Sequence, residues 1–197
     1  MANVDDVAAA LVESTGPVTA MKLQKLIYYC QAWHLVRCGE RLFTDRIEAW
    51  AQGPVTKSIY AKHRRQYTIA SWPSGHTQRL NADERQTIDW VLSKYSHFSA
   101  ESLSRMTHME IPWKVARGLL TADEASSEEI PPHLMRHYYA RQLADVESAV
   151  AHAAANSSME GVDLDDEWQD VLRSVANGSR SVPEAIQQEI ERAQAGE

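Results

Sequence analysis

The stretch from Met21 to Gly39, MKLQKLIYYCQAWHLVRCG, constrains the fold more than any other. At helical spacing Leu23, Leu26, Ile27, Cys30 and His34 share one face while Tyr29, Ala32, Leu35 and Val36 populate the opposite one, so this helix is apolar almost all round. Such a helix is normally buried, with other elements packed around it. Thr19 is placed to cap its start and Gly39 to stop it. The polar interruptions Gln24, Tyr28 and Gln31 fall at i, i+4 and i+7 on one narrow strip beside the core. Buried amides and hydroxyls require partners, which either neighbouring loops or a ligand can supply. Loops are the simpler source, so this segment speaks to fold more than to function.

With 197 residues, 44% of them hydrophobic, the chain can bury one sizeable core with an appendage. Six Trp and seven Tyr against two Phe favour aromatic side chains with a polar handle, which suit wet core edges and partner surfaces alike. No apolar run approaches the roughly 20 residues of a membrane span. The opening MANVDDVAAALVE is acidic where a signal peptide is basic. The expectation is a cytoplasmic protein without membrane association. Cys30 and Cys38 lie ~12 Å apart along one helix, too far to bridge. No CxxC pattern suggests zinc or redox chemistry, and neither metal nor cofactor is expected.

The net charge of −7 is concentrated at one end. Residues 156–197 hold ten acids and three arginines, which leaves residues 1–155 with 17 acids and 17 bases. A neutral body with an acidic tail makes nucleic acid an unlikely partner and sets a boundary near Asn156. The expected organisation is a body over residues 1–155 and an acidic helical extension over 156–197.

Val4, Val7, Ala8 and Leu11 mark a first helix over residues 3–13, ended by Gly16 and Pro17. Residues 46–50, RIEAW, read as a short strand, followed by the breaker Gly53-Pro54, with Pro54 opening a helix through about Arg65. A second short strand over 67–72 is a candidate partner for the first. Asn81 and Glu84 form a capping box ahead of Ile88, Val91, Leu92 and Tyr95, and Ser99 opens a further helix carrying Leu103 and Met106. Pro131 and Pro132 begin a long helix in which Tyr139, Leu143, Val146 and Val150 recur at helical spacing.

Three constellations invite a chemical reading. Lys57, Lys62, His63, Arg64 and Arg65 can clamp phosphates, although a solvated helix face near its C-terminus accounts for them more simply. His108 and Glu110 suggest metal or acid–base work but lack further ligands at a recognisable spacing, and Pro112-Trp113 reads as a helix restart. His133 and His137 lie at i, i+4 without a third ligand.

In the tail, Leu164, Trp168, Val171, Leu172 and Val175 make an apolar stripe behind Asp163, Asp165, Asp166 and Glu167, the favourable charge for a helix N-terminus. Ser181 and Glu184 form a capping box for a last helix. A short amphipathic helix cannot bury its stripe alone, so it folds on the body or meets a partner. Leu164, Trp168 and Leu172, with Asp165 and Asp166, are the candidate partner-binding residues.

Taken together, LQKLIYYCQAWHL (23–35), LF (42–43), IEAWAQGPV (47–55) with Tyr60, and LSRMTHMEIPW (103–113) resemble the Panacea, or SocA-like, antitoxin domain in order and spacing over about residues 5–120. The matching positions are Leu23, Gln24, Lys25, Leu26, Tyr28, Tyr29, Gln31 and Trp33, then Glu48, Ala49, Trp50, Gly53, Pro54 and Val55, then Thr107, His108, Pro112 and Trp113. Cys30 stands where a small residue is common, and Gln52 where an aromatic often precedes the glycine. The resemblance implies a mainly α domain, α+β only through a minimal β-hairpin, built around one buried central helix. It also implies the antitoxin of a bacterial or phage toxin–antitoxin pair, whose partner is a cognate protein toxin neutralised by direct contact. An adaptor that delivers the toxin to a cellular protease is the alternative within the same family. A DNA-binding autoregulator using the basic 57–65 helix is a further one. An enzyme built on His108, Glu110 and Glu48 lacks a nucleophile elbow, a phosphate loop or a ligand series, so no catalysis is expected. Because the family motifs pair the two stretches, Gln24, Tyr28 and Gln31 are expected to find their partners mainly in Glu48 to Val55.

Overall fold

The computed structural model describes residues 1–121, 123–159, 164–176 and 180–195. The chain forms two compact units, Met1–Tyr139 and Ala140–Glu197. The architecture is mainly α with a minimal β component, as the family resemblance implied.

In the first unit, α1 (Val4–Thr15) starts at Asn3, whose side chain accepts from the Asp5 amide at 2.9 Å, one of the otherwise unpaired donors of the first turn. Helix α2 (Ala20–Arg37) begins at Thr19, whose hydroxyl accepts from the Lys22 amide, and stops before Gly39, which adopts φ +80°. Every residue from Leu23 to Leu35 is buried, as the all-round apolar pattern predicts. Around it pack α1, α4 (Ala82–Tyr95), α5 (Ala100–Met109) and the hairpin strand β3 (Gly53–Thr56). The capping box of Asn81 and Glu84 forms in both directions at 2.9 Å. Helix α6 (Ile111–Arg117) restarts at Ile111-Pro112. The first residues of α7 (Pro132–Met159) bring Met135 and Tyr139 into the core.

The β structure differs from the sequence expectation. Strand β2 (Ile47–Trp50) pairs antiparallel with β3, Trp50 opposite Gly53 and Ile47 opposite Thr56, across the two-residue loop Ala51-Gln52. Pro54 therefore lies in a strand and does not open a helix; α3 begins at Lys57 and ends at His63. A two-residue connection costs little closure entropy, and Gly53 at φ +98° supplies the left-handed backbone after the turn. The strand expected over 67–72 shrinks to β4 (Thr68–Ile69), and it pairs with β1 (Val18–Thr19) rather than with Ile47–Trp50. The outer edge of β2 is instead covered by residues 128–130, with the Ala49 amide donating to Glu128 O and the Ile130 amide to Ile47 O, each at 2.8 Å.

In the second unit, α8 (Asp166–Ala176) opens with the Asp165 carboxylate accepting from the Trp168 amide at 2.9 Å. Arg173 donates to Glu147 of α7 and to Asp170. Ser181 and Glu184 cap α9 (Val182–Ala195) in both directions. The apolar repeat read along α7 is only partly realised: Val150 is buried, Val146 is half-buried and Leu143 is exposed. Arg141, Gln142 and Ala144 beside Leu143 are also exposed.

Candidate functional site

The site is the β2–β3 hairpin and the side chains that hold it. A two-stranded ribbon is not stable by itself, and here the turn carbonyls are taken up one after another by helical side chains. From α2, Lys25 donates to Gln52 O at 2.6 Å and to Pro54 O at 3.2 Å. From α5, Ser104 donates to Gln52 O at 3.2 Å, and the His108 ring lies 3.1 Å from Ala51 O. From α6, the Trp113 indole donates to Trp50 O at 3.1 Å and Arg117 to Ala49 O at 3.3 Å. Arg117 also donates to Thr121 O and Glu124 O, tying the loop that follows α6 to the same cluster.

Lys25 is 1% exposed. Burial lowers its ammonium pKa to about 7. Gly53 is what allows the approach: a Cβ there would stand 2.6 Å from Lys25 Nζ and 2.9 Å from Thr107 Oγ1. The His108 ring packs on Trp113 with centroids 4.4 Å apart, and its pKa is lowered first by burial.

A second buried group lies where α5 passes into α6. Glu110 accepts hydroxyl hydrogen bonds from Tyr28 and Tyr29 at 3.0 Å and from Tyr139 at 2.6 Å. Desolvation pushes its carboxyl up to about 7 against the opposing effect of the three hydroxyls. The same burial raises the pKa of all three tyrosines. Their rings lie edge-on or tilted to one another, joining α2 to α7 through one carboxylate.

The motif residues are thus largely brought together. Lys25, Gly53, Pro54, Thr107, His108 and Trp113 lie at the turn, Pro112 is buried at the start of α6, and Glu48 accepts from the Trp50 indole at 2.8 Å. Leu23, Leu26, Ala49 and Val55 are buried, and the Trp33 indole donates to Tyr95 away from the hairpin. The polar strip of α2 finds partners other than those expected. Gln24 accepts from the Thr56 amide at 2.8 Å and contacts Nε2 of His63 at 2.9 Å. Tyr28 reaches Glu110, and Gln31 accepts from the amides of Leu42 and Phe43 while donating to Phe43 O. The three strip residues share a face but are spread along the helix axis at about 1.5 Å per residue, so they meet three different segments, and Lys25, next to Gln24, is the one that serves the turn.

Ser104 and Arg117 carry no sequence signal, and Tyr139 reads from the sequence only as part of the apolar repeat of its helix. Nothing local marks a serine, an arginine or a tyrosine as the partner of a group tens of residues away. His108 and Glu110, neighbours in sequence, have separate partners, and among the described residues no group of three His, Cys, Asp or Glu side chains is placed to hold a metal ion. Of the bases read as a solvated helix face in preference to a phosphate clamp, Lys62 is paired with Asp5, His63 is buried against Gln24, and Arg64 and Arg65 are exposed. Within the second unit, Trp168 is 41% exposed, Leu164 and Leu172 are half-buried, and Asp165 and Asp166 face solvent. Asp163, at the head of the acidic run, lies outside the described residues. No described helix is long and apolar enough to cross a membrane.

Residues 23–114 match the family model of the antitoxin SocA-like, Panacea domain, and this interval spans α2 through most of α6 and contains every hairpin-holding side chain except Arg117. No curated protein and no solved structure matches the chain.

Proposed function

We propose that this chain, with its SocA-like Panacea domain, is the antitoxin of a toxin–antitoxin pair and neutralises a cognate protein toxin by binding it directly. The family match over residues 23–114 is the observation that carries the proposal, since the family name gives a toxin–antitoxin role in general. The geometry supports binding over chemistry. The buried ionisable groups Lys25 and Glu110 are consumed by internal hydrogen bonds, and they hold a hairpin in one shape. A rigid ribbon presented on a helical body suits recognition, because its shape is set before the partner arrives.

The tail is assigned part of that recognition. Trp168 offers an aromatic anchor, and the acids beside it offer a field that attracts a basic toxin. The test is co-expression with the product of the neighbouring open reading frame. That product alone should arrest growth, and this chain should relieve the arrest with the toxin's amount unchanged. Relief accompanied by disappearance of the toxin would select the protease adaptor instead, and no relief would remove the antitoxin reading.

A further inference from the structure

The outer face of the hairpin carries a cavity of about 360 Å³ that no role discussed so far uses. Glu48, Trp50 and Lys57 line one side, and Asp123, Ser126 and Ser127 line the other. Glu48 is buried, and among the described residues Oε2 accepts one hydrogen bond, from the Trp50 indole, and Oε1 accepts none. It forms an ion pair with Lys57, whose ammonium stands 3.8 Å from Oε1, beyond hydrogen-bond distance, on a side chain 66% exposed. A carboxylate has about four acceptor positions, so Glu48 has acceptor capacity left toward the cavity it lines. The Trp50 ring beside it is fixed on several sides: its N–H is held by Glu48, its ring packs on Tyr60 with centroids 4.8 Å apart, and its carbonyl accepts from Trp113.

We propose that this cavity is a binding site for an arginine side chain of a protein partner. A guanidinium is planar and carries paired donors, so it can lie against the indole face while donating to Oε1 of Glu48. Asp123 gives the opposite wall a second negative charge, and the hydroxyls of Ser126 and Ser127 are further acceptors. Lys57 occupies the position loosely in the free protein and swings out when the arginine enters. That the arginine belongs to the toxin rests on the antitoxin reading; the site itself does not.

The probe is N-acetylarginine amide, titrated into the full-length protein while the Trp50 indole N–H resonance is followed. A saturable shift is expected in the wild type. Lys57→Ala removes the resident competitor and should bind several-fold tighter, whereas Glu48→Gln, which keeps an acceptor for the indole, should bind about tenfold more weakly or worse. The neutral citrulline analogue should produce no saturable shift. The proposal is overturned if the arginine probe fails to saturate both wild type and Lys57→Ala, or if citrulline binds as well as arginine. It is also overturned if N-acetylglutamate amide binds in a Lys57-dependent manner, which would make the cavity an anion site. Lys57→Ala keeps the test decisive should Glu48→Gln fail to fold. Arginine binding without relief of toxicity would remove the antitoxin reading and leave the site standing.

Discussion

The ammonium of Lys25 donates at 2.6 Å to the carbonyl of Gln52, so a buried side chain of the central helix holds the tip of the hairpin. The contact exists only because residue 53 has no side chain. Gly53→Ala introduces a Cβ where Lys25 and Thr107 already sit, on a backbone at φ +98° that L side chains rarely adopt. A loss of about 2–3 kcal/mol in urea unfolding is expected. An unchanged midpoint would mean that Lys25 does not pin the turn.

Gln31 is expected to matter for a different reason. Its amide is the partner of the Leu42 and Phe43 amides and of the Phe43 carbonyl, all buried. Gln31→Leu fills the same space but orphans three backbone groups, with an expected loss of about 3 kcal/mol. A melting temperature equal to wild type would show that the loop finds other partners at no cost.

Glu110 gives the fold a pH signature. Its carboxyl titrates near 7 in the folded state against an ordinary value of 4.5, so the native state retains a proton that the unfolded chain has lost. The stabilising contribution is therefore complete below about pH 4.5 and is lost as pH rises through 7. Lys25, lowered to about 7 from 10.5, acts in a separate window, its contribution present above about pH 10.5 and lost as pH falls toward 7. Comparing wild type with Glu110→Gln isolates the carboxyl. Relative to the variant, the wild type should lose on the order of 2 kcal/mol between pH 4.5 and 8. A difference that stays constant with pH, or grows in favour of wild type, contradicts this assignment.

Much of this was legible in the sequence where a signal is local. The apolar girdle of Leu23 to Leu35 announced a buried helix, and Thr19, Asn81 with Glu84, and Ser181 with Glu184 announced helix starts. The hairpin was half legible. Ile47–Trp50 reads as a strand, but Gly53-Pro54 has the composition of a helix opening, and only pairing across Ala51-Gln52 shows that Pro54 sits in the ladder opposite Ala49. The partners of Gln24, Gln31 and Glu110 were not legible, because they are set by which segments the packing brings past each face of α2. Tyr139 and Glu110 are 29 residues apart, with no shared motif to join them.

In the tail, anchor and charge should separate kinetically. Trp168→Ala is expected to speed dissociation of the proposed toxin partner, while neutralising Asp163, Asp165, Asp166 and Glu167 together should slow association and flatten its salt dependence. Surface plasmon resonance at two ionic strengths reads both. If removal of residues 156–197 changes neither rate, recognition lies on residues 1–155.

The central claim, neutralisation by direct contact, is tested most directly by isothermal titration of the purified full-length chain into the purified product of the neighbouring toxic gene. A saturable complex, with affinity high enough to persist at cellular concentrations, is the predicted result. Relief of toxicity in cells with no detectable heat of binding, and no complex by gel filtration, would contradict it.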